Sequence, residues 1–244
     1  MLKLKKYFLI TFLGSFMFSC NQNEKSNFED LMIVKGSIKG LRKGKLYLQR
    51  IKDTMLINLD STYIDGSPDF MFQTPINTAE VFYLYLNKDD GDSLNDRILF
   101  FGEKGTIEIN TLLKTFESSA KISGSKNQEL LQKYQSMSRK FNDRNLDLLK
   151  DLYVAKAEQK IERVDSIEKK IANLLNRRYL YTINFAAQNP DQNIAPYLAI
   201  TQVFDANLKL LDSIANKLTN EVKASKYGIE FLNLLEQRRK KEAN

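Results

Sequence analysis

The sequence predicts an α+β protein, in which an antiparallel β-sandwich-like or open-barrel domain precedes an all-helical domain with long antiparallel helices. Between Leu31 and Ser123, short runs with strand periodicity alternate with turn residues, and no helical run intervenes. From Lys126 onward, apolar residues recur every three or four positions, which is the helical period. The predicted domains are therefore residues 31–125 and 126–244.

Eight strands are predicted in the N-terminal domain. The first ends before the turn Arg42-Lys43-Gly44, and the second alternates apolar and polar side chains. The predicted ranges are 31–40, 45–50, 54–64, 69–73, 80–87, 97–101, 106–110 and 120–123. Strands at spacings near ten residues with no helix between them favour antiparallel pairing in a sandwich or open barrel.

The strand at 80–87 is apolar on both faces, because aromatic side chains alternate with aliphatic ones in Val81-Phe82-Tyr83-Leu84-Tyr85-Leu86. One face can form the sandwich core, and the helices can cover the other. A ligand groove is the alternative use of the aromatic side chains, which core packing explains better. These side chains are Phe70, Phe72, Phe82, Tyr83, Tyr85, Phe100 and Phe101.

The helical domain begins with a capping signal. Ser125 is a candidate N-cap, with Gln128 three residues later. A break near 155–160 divides a long helical run into two helices that pack antiparallel. The stretch 189–193 ends the second helix, and Pro196 suits the start of a third. Two further segments, 207–223 and 226–240, are predicted to form a helical hairpin.

The first nineteen residues have the pattern of an export signal. Lys3, Lys5 and Lys6 precede an apolar run of 12 residues, at positions 7–18. A membrane-spanning helix needs about 20 residues, so a retained transmembrane anchor is disfavoured. Residues 1–19 are therefore predicted to be a signal peptide.

The end of this signal, Met17-Phe18-Ser19-Cys20, resembles the lipobox of bacterial lipoproteins. In that family the cysteine thiol receives a diacylglyceryl group, the signal is cleaved before the cysteine, and the new amine is acylated, with palmitate as a typical chain. The resemblance implies cleavage between Ser19 and Cys20 and lipid attachment at Cys20. Residues 20–30 then form a lipidated cysteine and a flexible tether. The alternative is an ordinary signal peptide with a cysteine near its end by chance.

Composition removes several classes of chemistry. The chain has no histidine and one cysteine, which excludes Ser-His-Asp catalysis, histidine-ligated metals and CxxC redox chemistry. No catalytic residue, cofactor or metal ligand is predicted. The formal charge is +7, and removal of residues 1–19 takes three lysines and no acids, which leaves 34 basic and 30 acidic residues. A net charge of +4 with both signs mixed does not favour nucleic-acid binding.

The order of short motifs along the chain is characteristic. After the lipobox come Ile33, Gly36, Ile38 and Gly40, then Gly44-Lys45-Leu46-Tyr47-Leu48, then Asp65, Gly66, Phe70 and Phe72, and then Ile122-Ser123-Gly124-Ser125. The helical domain adds Phe185-Ala186-Ala187-Gln188-Asn189-Pro190, Ala195-Pro196-Tyr197-Leu198 and Ser225-Lys226-Tyr227-Gly228. Together they resemble DUF4369, a domain of unknown function that precedes a thioredoxin-like domain in many Bacteroidetes lipoproteins.

The resemblance implies a fold and a location, and it argues against transferring an activity. In the longer relatives a WCxxC motif in the thioredoxin-like domain exchanges thiols. This sequence reaches Asn244 without such a domain, and its one thiol is expected to carry lipid. Thiol:disulfide oxidoreductase activity is therefore not expected here.

Three other features of the sequence do not indicate a functional site. The acidic stretch 89–96 does not fit a calcium loop, because Leu86 and Lys88 occupy ligand positions counted back from Gly91, and a solvated hairpin loop explains it better. No pair of carboxylates is singled out for acid–base catalysis. The basic residues 238–241 suit either an anionic membrane surface or, preferably, the end of a helix and solvent.

The function predicted from these observations is non-enzymatic. The protein is expected to be exported and anchored by its N-terminal lipid to the outer or inner membrane of the cell envelope, facing the periplasm. There it serves a binding or assembly role with an envelope protein partner. One alternative is an accessory that acts in trans with a separate thioredoxin-like thiol:disulfide oxidoreductase. A weaker alternative is a carboxylate-dependent hydrolase.

Overall fold

The structure is a computed structural model, which describes residues 30–88 and 96–243. Several predictions lie outside these residues. They concern the signal peptide, the cleavage site after Ser19, the lipid attachment at Cys20, the tether before Asp30, and the acidic loop at 89–95.

Within the described residues, eight strands form two four-stranded sheets, with the orders β4-β1-β7-β8 and β3-β2-β5-β6. Each predicted strand is present, with bounds that differ by a few residues. The strands are β1 (Leu31–Lys39), β2 (Lys43–Lys52), β3 (Met55–Asp65), β4 (Asp69–Pro75), β5 (Glu80–Asn87), β6 (Arg97–Gly102), β7 (Gly105–Leu112) and β8 (Lys121–Ser123). Neither sheet closes into a barrel, so the sandwich-like prediction is confirmed.

One strand pair departs from the predicted antiparallel arrangement. β1 and β7 run parallel, with Met32 opposite Gly105 and Lys39 opposite Leu112. All four strands of the β3-β2-β5-β6 sheet lie between β1 and β7 in the sequence. After them, β7 joins the first sheet and runs in the same direction as β1. A connection of this length is what parallel pairing requires.

The sheets enclose an apolar core, and one of them is apolar on its outer face as well. Phe82 and Leu84 of β5 point into the core between the sheets. Their neighbours Val81 and Tyr83 point the other way, and Val81 packs with Phe101 of β6 against the helices. The prediction that helices cover the second face of the strand at 80–87 is therefore confirmed.

Six helices follow the sandwich: α1 (Lys126–Ala157), α2 (Ile161–Ala187), α3 (Ile194–Gln202), α4 (Leu208–Ala215), α5 (Asn220–Ala224) and α6 (Lys226–Ala243). Ser125 caps α1 by accepting a hydrogen bond from the Gln128 N–H at 3.0 Å. The predicted break between the first two helices is present, and Gln159 there has a φ of 56°. The division of the chain into two domains stays a prediction.

The helix predicted at 207–223 is wrong as a single element. It ends after Ala215, and Thr219 starts α5 by accepting a hydrogen bond from the Val222 N–H at 3.3 Å. A threonine hydroxyl competes for backbone hydrogen bonds, so it starts a new helix more readily than it continues an old one.

The antiparallel α1–α2 hairpin extends away from the sandwich. Its distal part, residues 142–178, is called the arm here. The Arg178 Nη1 donates to Asn142 Oδ1 at 3.3 Å at its base. Its small core is formed by Leu148, Ala155 and Ile167. None of the described helices is both long and apolar enough to cross a bilayer.

Candidate functional site

The start of α1 joins the helices to the sandwich through buried amides. Gln128 Oε1 accepts a hydrogen bond from the Phe101 N–H at 2.8 Å, and Asn127 Oδ1 accepts one from the Ile194 N–H at 2.9 Å. The Asn127 amide also donates to Glu103 Oε2 at 2.7 Å. The Gln128 side chain therefore reaches β6 instead of completing a capping box with Ser125.

A cleft of about 840 Å³ lies beside this junction, between β6, the segment 117–122 and α1. It is called the amide cleft here. Most of its polar lining is neutral, and the amide groups among it both donate and accept hydrogen bonds. The neutral polar residues are Ser118, Gln128, Gln132, Tyr134, Gln135, Ser138, Asn142, Tyr197 and Gln202.

One wall of the amide cleft is the edge of a sheet. β6 is the last strand of its sheet, and the Leu86 N–H donates to the Asp96 carbonyl at 2.9 Å, in register with the rest of the β5–β6 pair. In an antiparallel pair the backbone groups of alternate residues point away from the partner strand. Leu99 and Phe101 are therefore two of the outward-pointing residues of β6.

The use of these outward groups differs between the two residues. The Phe101 N–H already donates a hydrogen bond to Gln128 Oε1. Leu99 lines the amide cleft, and the pairing register directs its backbone N–H and C=O away from β5, on the open edge of the sheet. The cleft thus combines a strand edge with a row of amide side chains.

A second cleft of about 870 Å³ lies between the β2–β3 hairpin, β5, α3 and α6, and Tyr197 borders both clefts. It is called the ionic cleft here. Glu80 is buried at its base, with a side chain only 8% exposed. Its Oε1 accepts from Arg50 Nη1 at 3.1 Å and its Oε2 from Lys226 Nζ at 2.5 Å. Strands β2 and β5 are therefore joined to α6 through one carboxylate.

Glu230 of α6 shares the ionic cleft with Glu80. Partial burial raises the pKa of Glu230, the Lys226 charge opposes that rise, and the Glu80 charge adds to it. Both Glu80 oxygens are already bound by cations, which leaves that carboxylate poorly placed to attack a substrate. The sequence did not pair these residues because they lie on distant elements.

Tyrosines on the same wall stay protonated at neutral pH. Burial raises the pKa of Tyr197 to about 12, with a smaller contribution from Tyr83. Burial also raises the pKa of Tyr227, whose hydroxyl accepts a hydrogen bond from the Val81 N–H at 2.9 Å. These hydroxyls therefore act as hydrogen-bonding groups and not as bases.

Most of the aromatic side chains considered for a groove lie in cores. Phe70, Phe72, Phe82 and Phe100 belong to the core between the sheets. Phe101 packs edge-on against Tyr197, with ring centroids 5.4 Å apart. Tyr83 lines the ionic cleft, and Tyr85 stacks on Tyr47 with centroids 5.7 Å apart.

The basic residues near the C-terminus make contacts within the helical half. Arg238 Nη1 donates to the Phe204 carbonyl at 2.8 Å, and Arg239 Nη2 pairs with Asp212 at 2.5 Å. In the described part of the chain, no group of three or more acidic, histidine or cysteine side chains is placed to hold a metal ion.

Sequence reasoning missed the amide cleft. A signal was present, since Gln128, Gln132 and Gln135 recur at helical spacing on α1 and so share one face. Glutamines are common on the solvated faces of helices, so the spacing alone does not indicate a site. The structure adds that these glutamines and β6 line the same cleft.

Residues 32–131 match the family model described as "Domain of unknown function (DUF4369)". The predicted resemblance is confirmed, and the matched segment runs from β1 into the first turns of α1. No curated protein matches the chain. A solved structure titled "pT26-6p" aligns with 80% of this chain and 42% of its own, at 13% identity and a TM-score of 0.23. This chain thus spans less than half the length of that structure, and a likeness so low carries no argument.

Proposed function

We propose that this DUF4369-containing chain is a non-catalytic, lipid-anchored protein of the cell envelope, whose amide cleft binds an extended segment of a partner polypeptide. The observation that carries the proposal is the outward-facing edge of β6 at Leu99, opposite the glutamines of α1. An extended peptide can add to such an edge through main-chain hydrogen bonds.

The lining of the cleft supports a peptide as the ligand. Gln132, Gln135 and Gln202 offer N–H donors and carbonyl acceptors, as peptide groups require. Apolar side chains of Leu131, Leu198 and Ile122 lie among them and can contact alternate side chains of a bound strand. The charged residues of the lining are Glu117, Lys121 and Arg139, so neither sign of charge dominates the cleft.

Site-specific crosslinking tests the cleft. With p-benzoyl-phenylalanine at Gln135, we expect a discrete crosslinked species in the native envelope, and none with the probe at the exposed Met71 on the outer face of β4. Adding Ser138→Trp should fill the cleft and reduce the crosslink about tenfold or more. The measurement is the crosslinked fraction on an immunoblot, followed by mass spectrometry.

Ser166→Trp is the matched control, because this exposed serine lies on α2, outside the cleft. It should leave the crosslink unchanged. Equal crosslinking from Met71, or a crosslink that survives Ser138→Trp, would contradict the proposed site. A crosslinked partner with a thioredoxin-like CxxC motif would favour the accessory role in trans over a general binding role.

The anchoring proposal has its own test. In cells fed labelled palmitate, the wild-type chain should carry label and fractionate with membranes, because acyl chains contribute about 0.8 kcal/mol per buried methylene. Cys20→Ala should abolish the label and release the exported protein, whereas Asn21→Ala should do neither. Membrane retention of the Cys20→Ala variant would show that the anchor lies elsewhere.

The ionic cleft gives less support to a hydrolase. Two carboxylates do meet there, but Glu80 holds Arg50 and Lys226 and so serves to join elements. Glu230 lines the ionic cleft and not the amide cleft, so Glu230→Gln should leave the crosslink from Gln135 unchanged.

A further inference from the structure

The arm carries a stripe of exposed apolar side chains on one face. Tyr153 and Ile161 are 77% and 75% exposed, and a contiguous patch of exposed apolar side chains is a sign of a binding surface. The stripe is completed on α1 by Leu146 and Leu149 and on α2 by Leu175, all of them exposed.

Helical geometry places these residues on the same face of the hairpin. At 3.6 residues per turn, Leu146, Leu149 and Tyr153 lie within about 60° of one another around α1. Lys156 follows Leu149 by two turns, and Glu168 lies two turns from both Ile161 and Leu175. Since Lys156 Nζ and Glu168 Oε1 are 3.0 Å apart, the stripes of α1 and α2 flank one ion pair and form a continuous face.

The charges on this face have opposite signs on the two helices. The α1 side carries Lys156, and the α2 side carries Glu168 and Asp165, which lies near the same side of its helix. A surface that is basic along one edge and acidic along the other is complementary to itself after a two-fold rotation. It does not suit an anionic membrane, which would meet the acidic edge.

We propose that this face of the arm binds a second copy of the chain, as an antiparallel four-helix bundle with its two-fold axis parallel to the arms. In this arrangement α1 of one copy lies over α2 of the other. Rotation about this axis does not shift a residue along the arm. Lys156 and Glu168 lie at the same level within one arm, so Lys156 lies opposite the second copy's Glu168. The residues Leu149 and Leu175 meet in the same way near the centre. The exposed apolar stripe then becomes the bundle core.

Mass measurement with matched variants tests the proposal. The full chain, purified in detergent, should have twice the protomer mass by light scattering coupled to gel filtration. Leu149→Gln should weaken self-association by about tenfold or more. Val154→Gln should not, although Val154 and Leu149 are both 43% exposed, because Val154 lies away from this face.

Charge reversal separates contacts between copies from contacts within one arm. Lys156→Glu and Glu168→Lys should each weaken self-association, and an equimolar mixture of the two variants should restore it. In the mixture the pair within each arm is still repulsive, so only an interaction between copies explains a recovery.

Three results would overturn the proposal. One is a monomeric mass at every concentration tested. Another is a dimer indifferent to both Leu149→Gln and charge reversal. The third is a monomer in which Leu149→Gln removes a crosslink to a different protein, since this would assign the face to that partner. Crosslinking from Gln135 in the amide cleft is scored separately, so neither proposal depends on the other.

Discussion

Replacing Gly36 with alanine is expected to destabilise the protein by at least about 3 kcal/mol, enough to unfold a marginally stable domain. A Cβ at this position would lie 1.7 Å from the Ile109 carbonyl oxygen and 2.6 Å from its carbon. The obstacle is backbone of β7, so the clash can be relieved only by separating β1 from β7. The measurement is urea unfolding followed by far-UV circular dichroism.

Gly66→Ala is the control for the loss of a glycine as such. Gly66 has a φ of +94°, and nothing lies within 4 Å of a Cβ built there. Its substitution should cost only the backbone strain of about 1–2 kcal/mol. A Gly36→Ala variant as stable as the Gly66→Ala variant would contradict the close parallel pairing of β1 and β7.

Glu80→Ala is expected to cost about 3 kcal/mol, since removing one member of a buried ion pair leaves its partners without compensation. Arg50 and Lys226 would both lose their carboxylate, and their side chains are 35% and 32% exposed, so water recovers part of the loss. We place the expected cost at the lower end of the range for buried pairs for that reason.

A double-mutant cycle identifies the source of that cost. Lys226→Met keeps the packing of the side-chain stem, and it should show strong coupling with Glu80→Ala in urea unfolding. Glu117→Ala, at an exposed carboxylate on the rim of the other cleft, should change stability by less than about 0.5 kcal/mol. Additive effects of Glu80→Ala and Lys226→Met would mean that the pair does not join α6 to β5.

The strands could be predicted because alternation along a strand survives any choice of partner. The strand from Val81 to Leu86 was predicted to have two apolar faces. One face packs in the core between the sheets, and the other packs against the helices. The direction of pairing could not be predicted in this way, because β7 buries Ile107 and Ile109 whether its neighbour runs parallel or antiparallel.

The candidate site was less accessible to sequence reasoning than the fold. Its glutamines are ordinary on a helix surface, and Leu99 is ordinary in a strand. What distinguishes them is that they line the same cleft, which is a property of tertiary packing. Glu80 was similarly invisible, because its partner Lys226 lies 146 residues away.

The long separation of these contacts sets the order in which the chain can fold. β1 pairs with β7, and the Ser37 N–H donates a hydrogen bond to Asn110 Oδ1, 73 residues later in the chain. The Val81 N–H donates to the Tyr227 hydroxyl, and this hydrogen bond can form only after 146 further residues have been synthesised. Non-local closure of this kind is typical of slow folding. A nascent chain in which α6 has not yet docked therefore lacks the Tyr227 side chain on the outer face of β5 and β6, so the cover that α1, α2 and α3 give this face is still incomplete.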